Sequence, residues 1–311
     1  MTSTAPDRWG LPLGLGAFLL WGAMPLFFPL LEPAGALEII AHRIVWSLVF
    51  CLVLLAATRS LEAFVAVLRN PRALGLFAIA SALIIVNWTT YVYAVLTGHV
   101  LDAALGYFIN PLLTVLLGIV VLRERLRPAQ WVALGLGAAA VVVISTGVGG
   151  LPWISLVLAG AFGLYSLVKN RVGRGVDALP GLAAETAVAT PFALAFLGWL
   201  AVTGAGTFSI QGTGHALLLM ACGVVTGLPL LLFSAAARRL PLSVVGMLQY
   251  LTPVLQFLLG LLVFDEHMPT TRWVGFALVW VALVVLTVDA TRASRAARLA
   301  AVGRTTVDPA L

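Results

Sequence analysis

The sequence predicts an all-α integral membrane protein with ten transmembrane helices arranged as two inverted five-helix repeats. Three observations carry this expectation. Hydrophobic residues make up 61% of the 311-residue chain and charged residues only 10%, against about 25% charged in an ordinary soluble domain. Apolar runs recur at the length of about 20 residues that a membrane-spanning helix needs. Residues 99–146 also align without a gap on residues 241–288, at an offset of 142. With a mean hydropathy of +1.08, the 32.7 kDa chain has too few charges to cover a water-facing surface, which excludes a soluble enzyme.

The spans follow in order. The first run, 11–31, carries Pro25 and Pro29. It is longer than the apolar core of about 7–15 residues in a secretory signal, so Ala34-Gly35-Ala36 is not read as a cleavage site and the first helix is kept. The second run, 36–57, holds the charged string around Glu38, and the third, 73–97, follows the turn Asn70-Pro71-Arg72. The fourth, 100–122, has Pro111 near its centre, and the fifth, 129–147, contains the close-packing pair Gly135-Leu136-Gly137. The sixth is 151–169; Val172-Gly173-Arg174-Gly175 then leads to the seventh, 178–202. The eighth, ninth and tenth are 214–237, 241–264 and 270–289, the ninth with Pro253 near its centre. This divides the chain into a cytoplasmic N-terminus (1–10), a first repeat (11–147), a second repeat (151–289) and a basic cytoplasmic tail (290–311) that starts as a helical extension and then frays.

Lys and Arg set the orientation, because cytoplasmic loops collect them. With the N-terminus inside, the inner segments hold every basic residue except Arg43, within a span, and Arg272, in an outer loop. The net charge of +6 is thereby explained as a topology signal, and no nucleic-acid partner is needed. Cys51 and Cys222 lie in apolar runs without ligand spacing, so they are read as buried thiols. Trp9, Trp153, Trp199 and Trp273 stand near span ends, where an interfacial aromatic belt belongs. His99, His215 and His267 are read as interfacial.

The repeat pairs Pro111 with Pro253, Gly118 with Gly260, Glu124 with Glu266, and Trp131-Val132 with Trp273-Val274. Apolar composition alone does not bring Pro, Gly, Glu and Trp into register together. A five-helix unit is odd-numbered, so its second copy enters the membrane from the opposite side, the arrangement on which many transporters are built. Pro111 and Pro253 are expected to break their helices at matching depth, because proline removes a backbone hydrogen bond and leaves a carbonyl free.

Ionisable groups at membrane depth mark a pathway by default, since each costs about 2.5–3.5 kcal/mol at a helix centre. Four stand out: Glu38 and Arg43 in the second span, Asp102 in the fourth and Glu185 in the seventh. Glu38, His42 and Trp46 share a face by four-residue spacing, whereas Arg43 lies about 100° round from His42. Arg43 is therefore expected to find its carboxylate on another helix, with Asp102 and Glu185 as candidates. Asp102, Gly106 and Asn110 make a polar, small-residue stripe ending at Pro111; Gln249, Thr252, Pro253 and Gln256 make the corresponding stripe on the ninth span; Asn87 and Tyr91, with Trp88 beside them, mark the third. These stripes predict a central cavity lined by spans 2, 3, 4, 8 and 9.

The strings that carry these stripes are familiar. Leu20-Trp21-Gly22 with Pro25, Glu38-Ile39-Ile40-Ala41-His42-Arg43-Ile44-Val45-Trp46-Ser47, Asn87-Trp88, Gly98-His99-Val100, Leu105-Gly106-Tyr107-Phe108-Ile109-Asn110-Pro111-Leu112 and Arg123-Glu124-Arg125-Leu126 resemble the RarD-type branch of the EamA-like drug/metabolite transporter superfamily. So do Gly227-Leu228-Pro229-Leu230-Leu231-Leu232-Phe233 and Leu248-Gln249-Tyr250-Leu251-Thr252-Pro253, so that the resemblance covers about residues 11–289. It implies a ten-helix permease of the bacterial inner membrane. One departure is that Asp265-Glu266 stands where the superfamily often shows Gly-Glu.

The expected function is secondary active transport of a small polar or amphipathic organic solute by alternating access. Arg43 would bind a carboxylate or pair with an acidic gate, and Asp102, Glu185 or Glu38 would carry a coupling proton. The solute-binding or coupling candidates are Glu38, His42, Arg43, Asn87, Trp88, Tyr91, Asp102, Tyr107, Asn110, Glu185, Gln249 and Gln256. The partners expected are the solute, the bilayer and protons. No phosphate-cradling glycine loop or catalytic motif is present, so neither cofactor nor metal is expected. The rival class, an intramembrane enzyme acting on a lipid or lipid-linked substrate, would need acid, base or metal ligands clustered near one membrane surface, and only Glu38 with His42 approaches that.

Overall fold

The computed structural model describes residues 9–122, 126–172 and 176–305, and all their regular structure is helical. Glu124, the repeat partner of Glu266, lies outside the described residues, as do Arg123, Arg125 and Arg174. The helices are α1 (Gly10–Ala23), α2 (Ala36–Ala57), α3 (Leu61–Leu68), α4 (Pro71–Leu96), α5 (Val100–Leu122), α6 (Pro128–Val148), α7 (Trp153–Val172), α8 (Ala178–Thr203), α9 (Gly212–Ala237), α10 (Leu242–Leu248), α11 (Leu251–Leu262) and α12 (Thr270–Thr305). Eight stretches are long and apolar enough to cross a membrane, with two shorter apolar helices, Gly10–Leu26 and Trp153–Lys169. Large apolar side chains cover the outside: Val202 is 90% exposed and Phe192 77%. In water such a surface would aggregate; in a bilayer it is the solvent-facing side. The chain is an all-helical, multi-pass membrane protein.

Three local expectations are corrected. The first run is not one helix to residue 31, because α1 ends at Ala23 and two 3-10 turns follow, Met24–Leu26 and Phe28–Leu31, each with a proline in its first turn. Proline has no N–H to give to the preceding turn, so it stands where that donor is not needed. The connection after the second span contains the eight-residue helix α3, too short to span, which buries Phe64 and Val67. The repeated prolines behave differently from each other. α5 continues as a helix through Pro111, so Pro111 does not break it, while the ninth span divides into α10 and α11 with Gln249 and Tyr250 between them. Pro253 then falls in the first turn of α11. α12 continues past residue 289 to Thr305, in line with the helical extension expected of the tail, and Asp289 on it accepts from Arg127 at 2.7 Å from Nε and 2.5 Å from Nη2.

The helices group into two compact units that each draw on both halves of the chain: Met1–Tyr107 with Ile154–His267, and Phe108–Trp153 with Met268–Leu311. In the first, α2 packs on α8 and α9, α1 on α9 and α11, and α4 on α8. Its main core runs through Met24, Phe28, Leu31, Ile40, Ile44, Tyr91 and Leu158. In the second, α6 packs along α12, with Leu112, Ala133 and Ala282 in one apolar cluster. Cys51 and Cys222 are free and buried, as read from their apolar surroundings.

Close approach is set by particular glycines. A Cβ at Gly223 of α9 would stand 2.3 Å from the backbone carbonyl oxygen of Trp46 on α2, which cannot swing aside. Asp265, just after α11, has φ 49°, the left-handed region that glycine enters without cost. Next to it, the Glu266 carboxylate accepts from the backbone N–H groups of Val100 and Leu101, the latter at 2.9 Å, and so caps the start of α5.

Gly223→Ala should destabilise the protein by about 1–3 kcal/mol through overpacking, read as a lower midpoint of thermal unfolding in detergent. Gly135→Ala, where an added Cβ meets nothing within 4 Å, should be neutral or stabilising by up to about 1 kcal/mol. Equal effects at the two positions would refute the close-approach account. By the same measurement, Asp265→Gly should leave stability unchanged or raise it by up to about 1 kcal/mol.

Candidate functional site

The first unit buries a set of polar side chains that α2, α4, α5, α9 and α11 bring together around Arg43. Arg43 itself is only 4% exposed. Its Nε donates to the Thr226 hydroxyl on α9 at 2.7 Å. The guanidinium lies over the Trp88 ring of α4, 4.0 Å from the centroid, and 5.9 Å from the Phe28 ring. Its Nη1 has no hydrogen-bond partner among the described residues. The titratable groups near enough to act on it electrostatically are Cys222, Tyr107 and Tyr91, none of them a carboxylate. The expected ion pair from Arg43 to Asp102 or Glu185 is therefore corrected: among the described residues Arg43 makes none.

Around it the candidates of the third, fourth and ninth spans interlock. Asn87 donates from Nδ2 to the Leu158 carbonyl at 3.0 Å and accepts at Oδ1 from the Tyr107 hydroxyl at 3.3 Å. Gln256 donates from Nε2 to the Tyr91 hydroxyl at 2.8 Å and to the Trp21 carbonyl at 3.3 Å. A carbonyl can only accept, so the Trp21 contact fixes the amide orientation and leaves Gln256 Oε1 as a buried acceptor unpartnered among the described residues. Rings link these groups: Phe28 meets Tyr91 at 5.9 Å, Tyr91 meets Tyr107 at 5.7 Å, and Tyr107 meets Phe162 at 6.3 Å.

The remaining candidates sort elsewhere. Glu185 on α8 accepts from Lys169 Nζ at 2.5 Å and from the Tyr165 hydroxyl at 3.2 Å, both on α7. It also lines, with Trp88, Ser81 and Ile44, a narrow cavity of about 10 Å³, the size of one water. Glu38, at the start of α2, accepts from the backbone N–H of Thr207 at 2.6 Å and from its hydroxyl at 3.1 Å. The Thr207 hydroxyl is in turn 2.7 Å from His215 Nε2. His42, one turn along from Glu38, stacks on Phe208 at 4.8 Å, and both its ring nitrogens are buried and unpartnered among the described residues. The shared face of Glu38 and His42 thus meets the segment at Thr207 and Phe208.

Asp102 is buried, and its backbone carbonyl accepts from Ser155 at 2.6 Å. A Cβ at Gly106 would come within 2.9 Å of the Ser155 carbonyl. The Asp102–Gly106 part of the stripe is therefore the surface on which α7 starts. Asn110 and Pro111 belong to the second unit, where the Asn110 carbonyl accepts from Thr114 at 2.9 Å. Gln249 is exposed at the break between α10 and α11, so it does not join Gln256.

Sequence reasoning missed Phe28, Thr226, Lys169, Tyr165, Thr207 and the part that His215 plays. Lys169 was legible as the chain's single lysine among 18 basic residues. Thr226 and Thr207 carry no periodic signal; only the fold brings them to Arg43 and Glu38.

This fold and buried polar set belong to a class of membrane protein that sequence comparison defines. The model of the EamA-like transporter family matches twice, at residues 8–146 and 151–288. Protein RarD of Streptomyces exfoliatus is 52% identical over 96% of this chain and 94% of that protein. An uncharacterised transporter of Pseudomonas aeruginosa is 44% identical over 94% of this chain and 98% of its own length. A crystal structure whose protein is 21% identical matches with a TM-score of 0.59, covering 91% of this chain and 99% of that one, which speaks for the fold alone. The chain belongs to the EamA-like transporter family, on its RarD-type branch, and is a membrane transporter.

The Lys169–Glu185 pair yields a stability test. Lys169→Met leaves a buried carboxylate with its charge unanswered and should lower stability by about 1–3 kcal/mol. Adding Glu185→Gln should recover part of that loss, since a neutral amide tolerates burial better than a lone carboxylate. A double variant no more stable than Lys169→Met in thermal unfolding would remove the pair from the account.

Proposed function

We propose that the chain is a secondary active transporter that moves a small polar or amphipathic organic solute across the bacterial inner membrane by alternating access. The moving parts are two inverted repeats of five helices, residues 11–147 and 151–289, with both termini cytoplasmic. Support comes from the gapless internal match that aligns Pro111 with Pro253 and Trp131 with Trp273, from the concentration of arginine in alternate loops, and from a family model that fits each half once. Gln249 and Tyr250 keep right-handed helical dihedrals where α10 gives way to α11, so the ninth span is divided by a local turn and not by an unwound segment.

The observation that carries the reading is the polar set around Arg43. Buried polar groups in a membrane bundle are commonly glue, worth well under about 2 kcal/mol each. Glue, however, is satisfied glue. Arg43 Nη1 and Gln256 Oε1 are both buried and unpartnered among the described residues, as expected of groups whose partner comes and goes.

Glu185 is the carboxylate best placed to couple a proton. Protonation of Glu185 would release Lys169, and the same side chain lines the water-sized cavity beside Trp88, the ring against which Arg43 lies. Glu38 is held by two donors from Thr207 and has the weaker claim.

The test is flux of candidate solutes into liposomes that carry the purified full chain. Protein-dependent, saturable accumulation driven by an imposed pH gradient is the expected result. Glu185→Gln should abolish the gradient dependence while leaving exchange of solute down its own gradient. The reading fails if no member of a broad panel of polar and amphipathic organic solutes crosses faster than in empty liposomes.

A further inference from the structure

We infer that the solute is an organic anion, a carboxylate carried on a planar apolar body, and that Arg43 is the residue that binds its charge. This rests on the reading of the Arg43 set as the transport site.

The intramembrane charges divide unequally. Glu185 has Lys169 and Tyr165, and Glu38 has the backbone and hydroxyl of Thr207. Arg43 has neutral contacts, the Thr226 hydroxyl and the faces of Trp88 and Phe28. They improve its burial but do not neutralise it. A guanidinium presents five N–H donors, and the part that fits a carboxylate is a pair of them in one plane. Thr226 occupies Nε and holds the plane over Trp88, while Nη1 remains unpartnered among the described residues. The arginine is held in place from one side, and on the other a buried N–H is left without the partner that an oxyanion would supply.

The walls give the rest of the ligand. Trp88 lies against the guanidinium, and Phe28, 5.9 Å from it, continues into Tyr91 and Tyr107. A carboxylate that reaches Arg43 would have these rings as its neighbours, and an aromatic or flat aliphatic body is the one they suit. An amine at the same place would set two cations against each other away from water, and an alcohol would leave the arginine charge unanswered. The discrimination is therefore by charge first and shape second.

Three probes with one phenyl body separate these possibilities: 3-phenylpropionate, 3-phenylpropanol and 3-phenylpropylamine. Each is titrated into the purified full chain in detergent, with binding read by thermal stabilisation and by quenching of tryptophan fluorescence. On the wild-type protein the acid should bind at least about 10-fold more tightly than the alcohol or the amine. Arg43→Gln should weaken the acid by about 10-fold or more and erase the preference, and Arg43→Lys should keep the preference at reduced affinity, because it keeps charge but loses the planar fork. The comparison among probes needs no variant, so a poorly folding Arg43→Gln protein does not spare the idea. Equal binding of the three probes, absence of acid binding, or full acid affinity in a well-folded Arg43→Gln protein each overturns it. Protein-dependent flux of neutral or cationic solutes with no preference for carboxylates would sink the anion assignment and leave the transporter reading intact. Arg43-dependent acid binding without flux of any solute would do the reverse.

Discussion

Hydrocarbon neither solvates charge nor offers hydrogen bonds, so a polar group at membrane depth must be answered by another part of the chain or by what the protein carries. The rest of the structure depends on this constraint. It explains why all regular structure among the described residues is helical, since helices satisfy their own backbone. It also explains why the few intramembrane charges are held so specifically. Glu185 draws Lys169 to it from α7, and Glu38 draws in the backbone at Thr207. Each pairing fixes where two helices or segments meet.

Arg43 is the instructive exception. Its contacts to Thr226 and Trp88 make burial bearable without cancelling the charge. A fully neutralised arginine would be a stable fixture and a poor receptor; a wholly unsupported one would pull water into the bundle. This intermediate, positioned but not neutralised, is the observation on which the proposed solute site rests. Gln256 shows the same economy with a neutral group, its amide nitrogen fixed by Trp21 and Tyr91 and its oxygen left over.

The small residues serve a second need. Without a hydrophobic drive between helices in lipid, close packing has to come from shape. Gly223 lets α9 approach the backbone of α2 beside Trp46, and Gly106 does the same for α5 and the start of α7. Part of what looks polar and functional in the Asp102–Gly106 stripe is this packing. The two repeated prolines diverge for a related reason: Pro253 sits where a new helix starts and its missing N–H costs little, whereas Pro111 is carried inside a continuous helix.

The sequence by itself determined the class of protein, the placing of most apolar spans, the family and most of the residues now found around Arg43. These follow from local composition: scarcity of charge, run length, and the periodicity that puts Asn87 and Tyr91 on one face. It misjudged helix ends at Pro25 and Pro29, overlooked α3, and treated Pro111 as a break, because short-range backbone outcomes depend on what packs against them. Only the tertiary structure decided the partners. Four-residue spacing tells which way a side chain points on its own helix, but not which residue of another helix it meets. Lys169 rather than Arg43 therefore answers Glu185, and Thr226, with no signal in the sequence, holds Arg43. Pairing across helices is set by how close the backbones come, and that distance is a property of the packed bundle.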